Sequence, residues 1–348
     1  MQLDFNSFNS IAFGRKYEGH WLENTNGIKA FVSNYGARLV ALYTPDKSGE
    51  FADIVLGFNT LNEYMSGHPF FGVTVGRCAN RIAKGKFDLE GETYQLNQNN
   101  YPNHLHGGPN GFHNRIWMIE EAEKQHVEMS FISPDGHEGY PGKLKTIVRY
   151  ELNDNNQLKI SYQAATDKTT IVNLTHHSYF NLKGEGQGDI LDHQLKINGD
   201  YITPVNQHQV PDGHLKNVAG TPFDFSGFDA IGNRIKDCDE QMVIGHGFDI
   251  NYVLNSRLHE FAADVYEPSC GRAMRVYTNQ PGMQFYTGNF LDGSDIGKSG
   301  KRYYKYSGFC LETQHFPNAI NEDDFPSVIL KPEETYEYEV IYEFYTVN

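Results

Sequence analysis

Tyr336-Glu337-Tyr338-Glu339-Val340-Ile341-Tyr342-Glu343-Phe344 reads as a strand, with aromatics on one face and glutamates mostly on the other. The same period-2 alternation recurs upstream. Val127, Met129 and Phe131 alternate with polar or charged neighbours, as do Leu158, Ile160, Tyr162 and Ala164. Phe87 and Leu89, then Tyr94 and Leu96, flank Glu90-Gly91 and predict a hairpin. Helical spacing is rare: Leu61, Tyr64 and Met65 predict one short turn of helix. Turn signals are dense, at Pro45-Asp46, Pro134-Asp135-Gly136, Pro211-Asp212-Gly213 and Asp292-Gly293. Many short strands without a βαβ rhythm predict an all-β fold, a large antiparallel β-sandwich or barrel with few short helices. With no linker or repeat, one domain over 1–348 is expected. The Gly184–Gly188 run lacks the spacing of a dinucleotide loop and is expected to be a hairpin loop.

Lys and Arg total 29 against 44 Asp and Glu, a net charge of −15. That balance argues against sequence-independent nucleic-acid binding and against docking on anionic membranes. Cys78, Cys238, Cys270 and Cys310 form no C-x-x-C pair, so a reduced, cytoplasmic protein is expected. The first residues lack the basic and apolar regions of a signal peptide, and no stretch approaches the roughly 18 apolar residues of a membrane helix. Without a secretory route the sequon Asn173-Leu174-Thr175 carries little weight.

The chemistry lies in polar clusters on this β background. Phe309-Cys310-Leu311-Glu312-Thr313-Gln314-His315-Phe316-Pro317-Asn318 predicts a strand with Glu312 on the face opposite Leu311, ending at Pro317. A carboxylate there is paired, exposed or chemical. Arg77 and Arg81 lie four apart amid small and apolar residues, and at least one needs an anionic or hydroxylic partner. His104 and His106, if on a strand, face the same way, and Gly107-Gly108 after them lets a backbone or ligand come close. His176 and His177 point to opposite faces, so one of them can enter a pocket. Asp249 opens an apolar strand, and the amides of Asn279–Asn289, Gln280 among them, suit neutral hydroxyls. Singly, each is more often a turn, cap or core feature. Together, carboxylates, amides and aromatic platforms without a phosphate cradle suit a sugar.

These segments resemble the aldose 1-epimerase (galactose mutarotase) family. The matching motifs, in the family's order, are GRCANRIA at 76–83, NHLHGG at 103–108, NLTHHSYFNL at 173–182, GFDIN at 247–251, QPGMQFYTGNFL at 280–291 and LETQHFP at 311–317. The resemblance implies a single-domain β-supersandwich that interconverts the α and β anomers of free hexoses such as galactose and glucose. It implies no metal or organic cofactor, a small-molecule sugar as partner, and a monomer or weak homodimer. By position, Glu312 matches the general base and His177 the general acid. His106 matches the second active-site histidine near the ring oxygen, and Asn80, Arg81, Asp249 and Gln280 match sugar-binding positions. Glu312 is then expected to titrate low enough to be ionised. His176 departs from the family's usual Asn; on the opposite strand face, it should leave the acid in place while altering its surroundings.

Rival expectations remain: a hexose-6-phosphate 1-epimerase, a glycoside hydrolase using Asp249 and Glu312, a metal enzyme using His104, His106 and Glu312, and a non-catalytic sugar-binding β-sandwich.

Overall fold

The computed structural model describes residues 4, 6–12, 14–67, 70–236, 238–255 and 260–348. The C-terminal stretch forms the strand Tyr336–Thr346, in the middle of a nine-stranded antiparallel sheet. It pairs with Gln157–Thr166 on one side and Arg272–Thr278 on the other. As the alternation requires, Tyr338, Val340, Tyr342 and Phe344 are buried. Tyr338 stands opposite Tyr162 in register, their rings stacked 4.9 Å apart. Such an aromatic cross-strand pair contributes about 0.5–1.5 kcal/mol beyond its area.

A five-stranded sheet supplies the second layer, in the order Lys216–Asn217, Tyr201–Thr203, Asp249–Val253, Gly282–Tyr286, Cys310–Gln314. One face carries Ile250, Tyr252, Met283, Phe285 and Leu311, which join the nine-stranded sheet's inner residues in one apolar core. Thr313 is on that face as well, its hydroxyl 2.7 Å from that of Tyr338. Two antiparallel sheets packed face to face give the expected sandwich. A four-stranded sheet, Gly19–Glu23, Lys29–Ser33, Arg38–Pro45 and Phe51–Asp53, adds Leu22, Val32, Leu39 and Leu42 to the same core.

The short helix forms at Leu61–Ser66, started by a Thr60–Glu63 capping box. The hairpin at Glu90-Gly91 pairs Lys86–Leu89 with Glu92–Gln95, and both turn residues have positive φ, as a tight two-residue turn requires. Gly184–Gly188 is different: it is a turn-rich loop rather than a hairpin. Its flanks pair elsewhere, Phe180 with Phe309 and Gln194–Ile197 with Phe261–Tyr266. The four cysteines are unpaired. Among the described residues no helix is long and apolar enough to cross a membrane.

Two segments distant in sequence run side by side at the sandwich's end. Asn173 bonds His315 twice, its Nδ2 donating to the carbonyl at 3.1 Å and its Oδ1 accepting from the amide at 3.0 Å. Thr175 Oγ1 donates to Thr313 O at 2.9 Å. Phe180 and Phe309 exchange backbone hydrogen bonds of 2.7 and 2.9 Å. Between these ties lie His177 and Glu312.

Candidate active site

On the face of the five-stranded sheet opposite the core, the alternation delivers polar groups. Asp249 pairs with Tyr286 and Tyr286 with Cys310; one step along, Asn251 pairs with Gln284 and Gln284 with Glu312. Glu312, third residue of Cys310–Gln314, is 2 % exposed, and His177, last residue of Thr175–His177, is 4 % exposed. His177 Nε2 stands 3.5 Å from Glu312 Oε1. The other carboxylate oxygen, Oε2, is buried without a hydrogen-bond partner among the described residues. Both side chains line a cavity of about 270 Å³.

Burial pushes the Glu312 carboxyl well above the usual carboxylate range; Asp249 adds to the rise and Arg81 opposes it. The shift runs against the expectation that Glu312 titrates low enough to be ionised: its carboxylate form needs a higher pH than that of an ordinary glutamate. A deep position beside a second carboxylate outweighs one guanidinium and makes Glu312 a stronger base than an exposed glutamate.

His106 lies in the cavity and His104 does not. The strand His104–Leu105 ends at His106, whose φ of 51° is left-handed, so the alternation expected of His-x-His stops there. His104 turns inward, Nδ1 on Asn97 O at 2.6 Å and Nε2 on Tyr140 OH at 2.7 Å; burial holds it at about 4. His106 Nδ1 accepts from the Asn80 backbone N–H at 3.2 Å, which leaves the neutral ring's proton on Nε2. Burial, with His177 and Arg81 nearby, keeps His106 uncharged. Gly107 serves a backbone approach, since a Cβ there would collide with the Gly76 carbonyl.

Arg77 and Arg81 separate as well. Arg77 is structural, through the carbonyls of Pro141 and Gly142 (2.7 and 2.8 Å) and Ser133 Oγ (2.6 Å) rather than a salt bridge. Arg81 lines the cavity, donating to Asn100 Oδ1 at 3.0 Å and Gln209 Oε1 at 2.5 Å. Asn80 and Asp249 line it too. Asp249 accepts from Gln284 Nε2 at 2.7 Å, and burial raises its pKa against the pull of Arg81 and that hydrogen bond.

Gln280 does not line the cavity. Its Oε1 accepts from His315 Nδ1 at 2.8 Å, and Gln284 lines the wall instead. Gln284 sits within the strand Gly282–Tyr286, whereas Gln280 lies in the bend before it, off the strand whose alternation faces the cavity. His176, as expected, lies on the other face: Nε2 is 2.7 Å from Ser178 Oγ and Nδ1 3.4 Å from Tyr150 OH.

Aromatic rings complete the walls. Phe70 and Tyr179 both stack on the His177 ring, with centroids 5.7 and 5.1 Å away, and Tyr286 and Phe290 line the cavity as well. Sequence reasoning passed over Phe70, Asn100, Tyr179 and Gln209, and it singled out Gln280 where Gln284, an amide of the same cluster, lines the cavity. Tyr179 was legible as the second residue after His177; Phe70 and Gln209 come from loops with no periodic signal.

The family model for aldose 1-epimerase matches residues 20–343. Galactose mutarotase of Sus scrofa is 46% identical over 310 residues, 89% of this chain and 89% of its own. Aldose 1-epimerase of Escherichia coli K12 is 35% identical over 335 residues, 95% and 96% of the two chains. Among solved structures, a GalM/aldose epimerase homologue from C. elegans superposes with a TM-score of 0.88 at 32% identity, covering 95% of this chain and 99% of that one. A galactose 1-epimerase from Lactobacillus acidophilus gives 0.86 at 32% identity, with 97% of each chain covered. Matched along nearly its whole length in both sequence and fold, the chain belongs to the aldose 1-epimerase family.

Proposed function

We propose that the protein is a mutarotase that interconverts the α and β anomers of free hexoses such as galactose and glucose, with Glu312 as base and His177 as acid. The observation that carries this reading is the buried Oε2 of Glu312, without a hydrogen-bond partner among the described residues, in a cavity that also holds the His177 imidazole, Nε2 to Oε1 3.5 Å. Glu312 removes the proton of the C1 hydroxyl while His177 donates one to the ring oxygen. The C1–O bond of the ring breaks and C1 becomes an aldehyde. After rotation about C1–C2, Glu312 returns its proton to the carbonyl oxygen and His177 recovers one from the chain hydroxyl as the ring recloses from the other face. Each positioned acid or base contributes about 10²–10⁴-fold. His106, held as the Nε2–H tautomer by Asn80, donates to the ring-oxygen region without competing as an acid.

Asn80, Arg81, Asp249 and Gln284 supply donors and acceptors for the remaining hydroxyls. Arg81 is the single Lys or Arg among the described lining residues and is already engaged by two amides, which favours a neutral sugar over a hexose 6-phosphate. One chain supplies every one of these groups, in keeping with a monomer or weak homodimer, and four unpaired thiols suit the cytoplasm. Polarimetry on freshly dissolved α-galactose tests the assignment: Glu312→Gln and His177→Asn should each lose most of the rate while staying folded. Near-parental mutarotation by either variant defeats it.

One observation favours a second reading. His106, His177 and Glu312 each offer a ligand atom, all within 4.8 Å of one another, and two imidazoles with a carboxylate form a zinc donor set. A tetrahedral ion needs those atoms about 3.3 Å apart, closer than the full spread of this set. Dialysis against a chelator should leave mutarotation unchanged; a loss reversed by zinc would make the enzyme metal-dependent.

A further inference from the structure

Gln209 reaches the cavity from a loop that is tied down on all sides. The loop follows Tyr201–Thr203 and is closed by pairing of Val205 with Pro211. Asn206 donates its N–H to Val210 O at 2.9 Å, accepts from Gln209 N at 2.8 Å, and its side-chain oxygen accepts from His208 N at 2.9 Å. Asn103 Nδ2 anchors the tip through His208 O at 2.9 Å. Gln241 grips Val205 at both its N–H (2.6 Å) and its carbonyl (2.9 Å). Gln209 itself has φ 56°, a left-handed conformation that costs a side-chain-bearing residue free energy glycine would not lose. A strained residue in a pinned loop, with its side chain in an active-site cavity, is a candidate for a role there.

The amide of Gln209 stands between opposite charges. Its oxygen accepts from Arg81 Nη2 at 2.5 Å, and its nitrogen lies 3.5 Å from Asp249 Oδ2 and 3.4 Å from Ile244 O. Arg81 is thus satisfied by two neutral amides, Asn100 and Gln209, although the carboxylates of Asp249 and Glu312 both act on its charge. A guanidinium within reach of a carboxylate favours a bidentate pair with it.

We propose that Gln209 is a substrate-positioning residue, a neutral spacer that keeps Arg81 from closing onto Asp249 so that both present free hydrogen-bonding atoms to the sugar hydroxyls. The proposal rests on the mutarotase reading above. Without the amide, Arg81 swings onto Asp249, and the sugar must displace an ion pair to bind. Binding weakens, while the Glu312–His177 proton transfers proceed as before.

Two variants separate the amide from the backbone. Gln209→Leu keeps the bulk, and Gln209→Gly removes the side chain while relaxing the left-handed φ. Both should raise KM for galactose about tenfold, the weight of a hydrogen bond to a charged group, with kcat within about twofold. The calorimetric Kd should move with KM, and Gln209→Gly should melt no lower than the parent. In an Asp249→Asn background the Gln209→Leu penalty should shrink to less than about threefold, because the pair being kept apart is gone. A KM within about twofold of the parent in both variants, a fall in kcat at unchanged KM, or an undiminished penalty in the Asp249→Asn background overturns the proposal. A parent protein that binds galactose without accelerating its mutarotation defeats the functional reading instead, and the Kd comparison still decides the role of Gln209.

Discussion

On the core face of the five-stranded sheet, Leu311 and Phe285 are fully packed; on the opposite face, one residue along each strand, Glu312 and Gln284 are nearly as buried. The two faces share strands, register and depth, and differ only in what burial does to them. Apolar side chains gain about 25 cal/mol for each Å² taken from water. Taking a carboxylate from water costs free energy unless it is paired, and one oxygen of Glu312 has no partner among the described residues. The core face therefore stabilises the fold, and the site face is held in place at the core's expense. Depth alone does not mark a structural residue.

The sharpest break between the faces comes from Glu312→Gln, which should lower kcat by about 10²–10⁴-fold while stabilising the protein at neutral pH. Folding raises the Glu312 pKa and so favours the protonated carboxyl. Stability is lost as pH climbs from the ordinary carboxylate value, near about 4.3, through the raised one. The melting-temperature gap between variant and parent should therefore open as pH rises and close in acid, and a gap of the opposite sign would show the carboxylate to be well paired. The parent's kcat should in turn fall as pH drops through that raised value, giving an acid limb above the usual carboxylate range.

Leu311→Ala, the neighbouring residue on the core face, should do the reverse. It should lose about 2–5 kcal/mol of stability in denaturant titrations with kcat of the folded protein retained. Next in size, Gln284→Leu should raise KM about tenfold by removing the donor to Asp249, whereas Gln280→Leu should leave KM unchanged. Equal effects would return Gln280 to the sugar. The smallest is Tyr338→Phe, which removes the hydroxyl facing Thr313 between the sheets and should cost about 1 kcal/mol with no kinetic change.

The sandwich was legible because period-2 alternation is local: Tyr336–Phe344, Leu158–Ala164 and the Glu90-Gly91 hairpin each fold as their own pattern dictates. Glu312 and His177 were legible through ordered motifs and the opposed faces of His176 and His177. What failed depended on where an alternation stops. His106 leaves its strand in a left-handed residue, so His104 and His106 part company. Gln280 lies in the bend before the strand Gly282–Tyr286, outside the pairing with Glu312's strand that sets Gln284 on the cavity wall. Phe70 and Gln209 enter from loops, where no period exists to read, and the raised pKa of Glu312 comes first from its burial and then from Asp249, neither of which its own stretch of sequence displays.

The two bonds between Asn173 and His315 have a consequence for how this protein is made. Asn173 is the acceptor residue of the sequon, and its Nδ2, the atom a glycan would occupy, donates to the His315 carbonyl from a nearly solvent-free position. A chain glycosylated there before folding could not bring the His177 segment against the Glu312 segment. Production through a glycosylating secretory host should therefore yield misassembled protein, and Asn173→Gln would not rescue it, because the longer amide cannot reproduce both bonds.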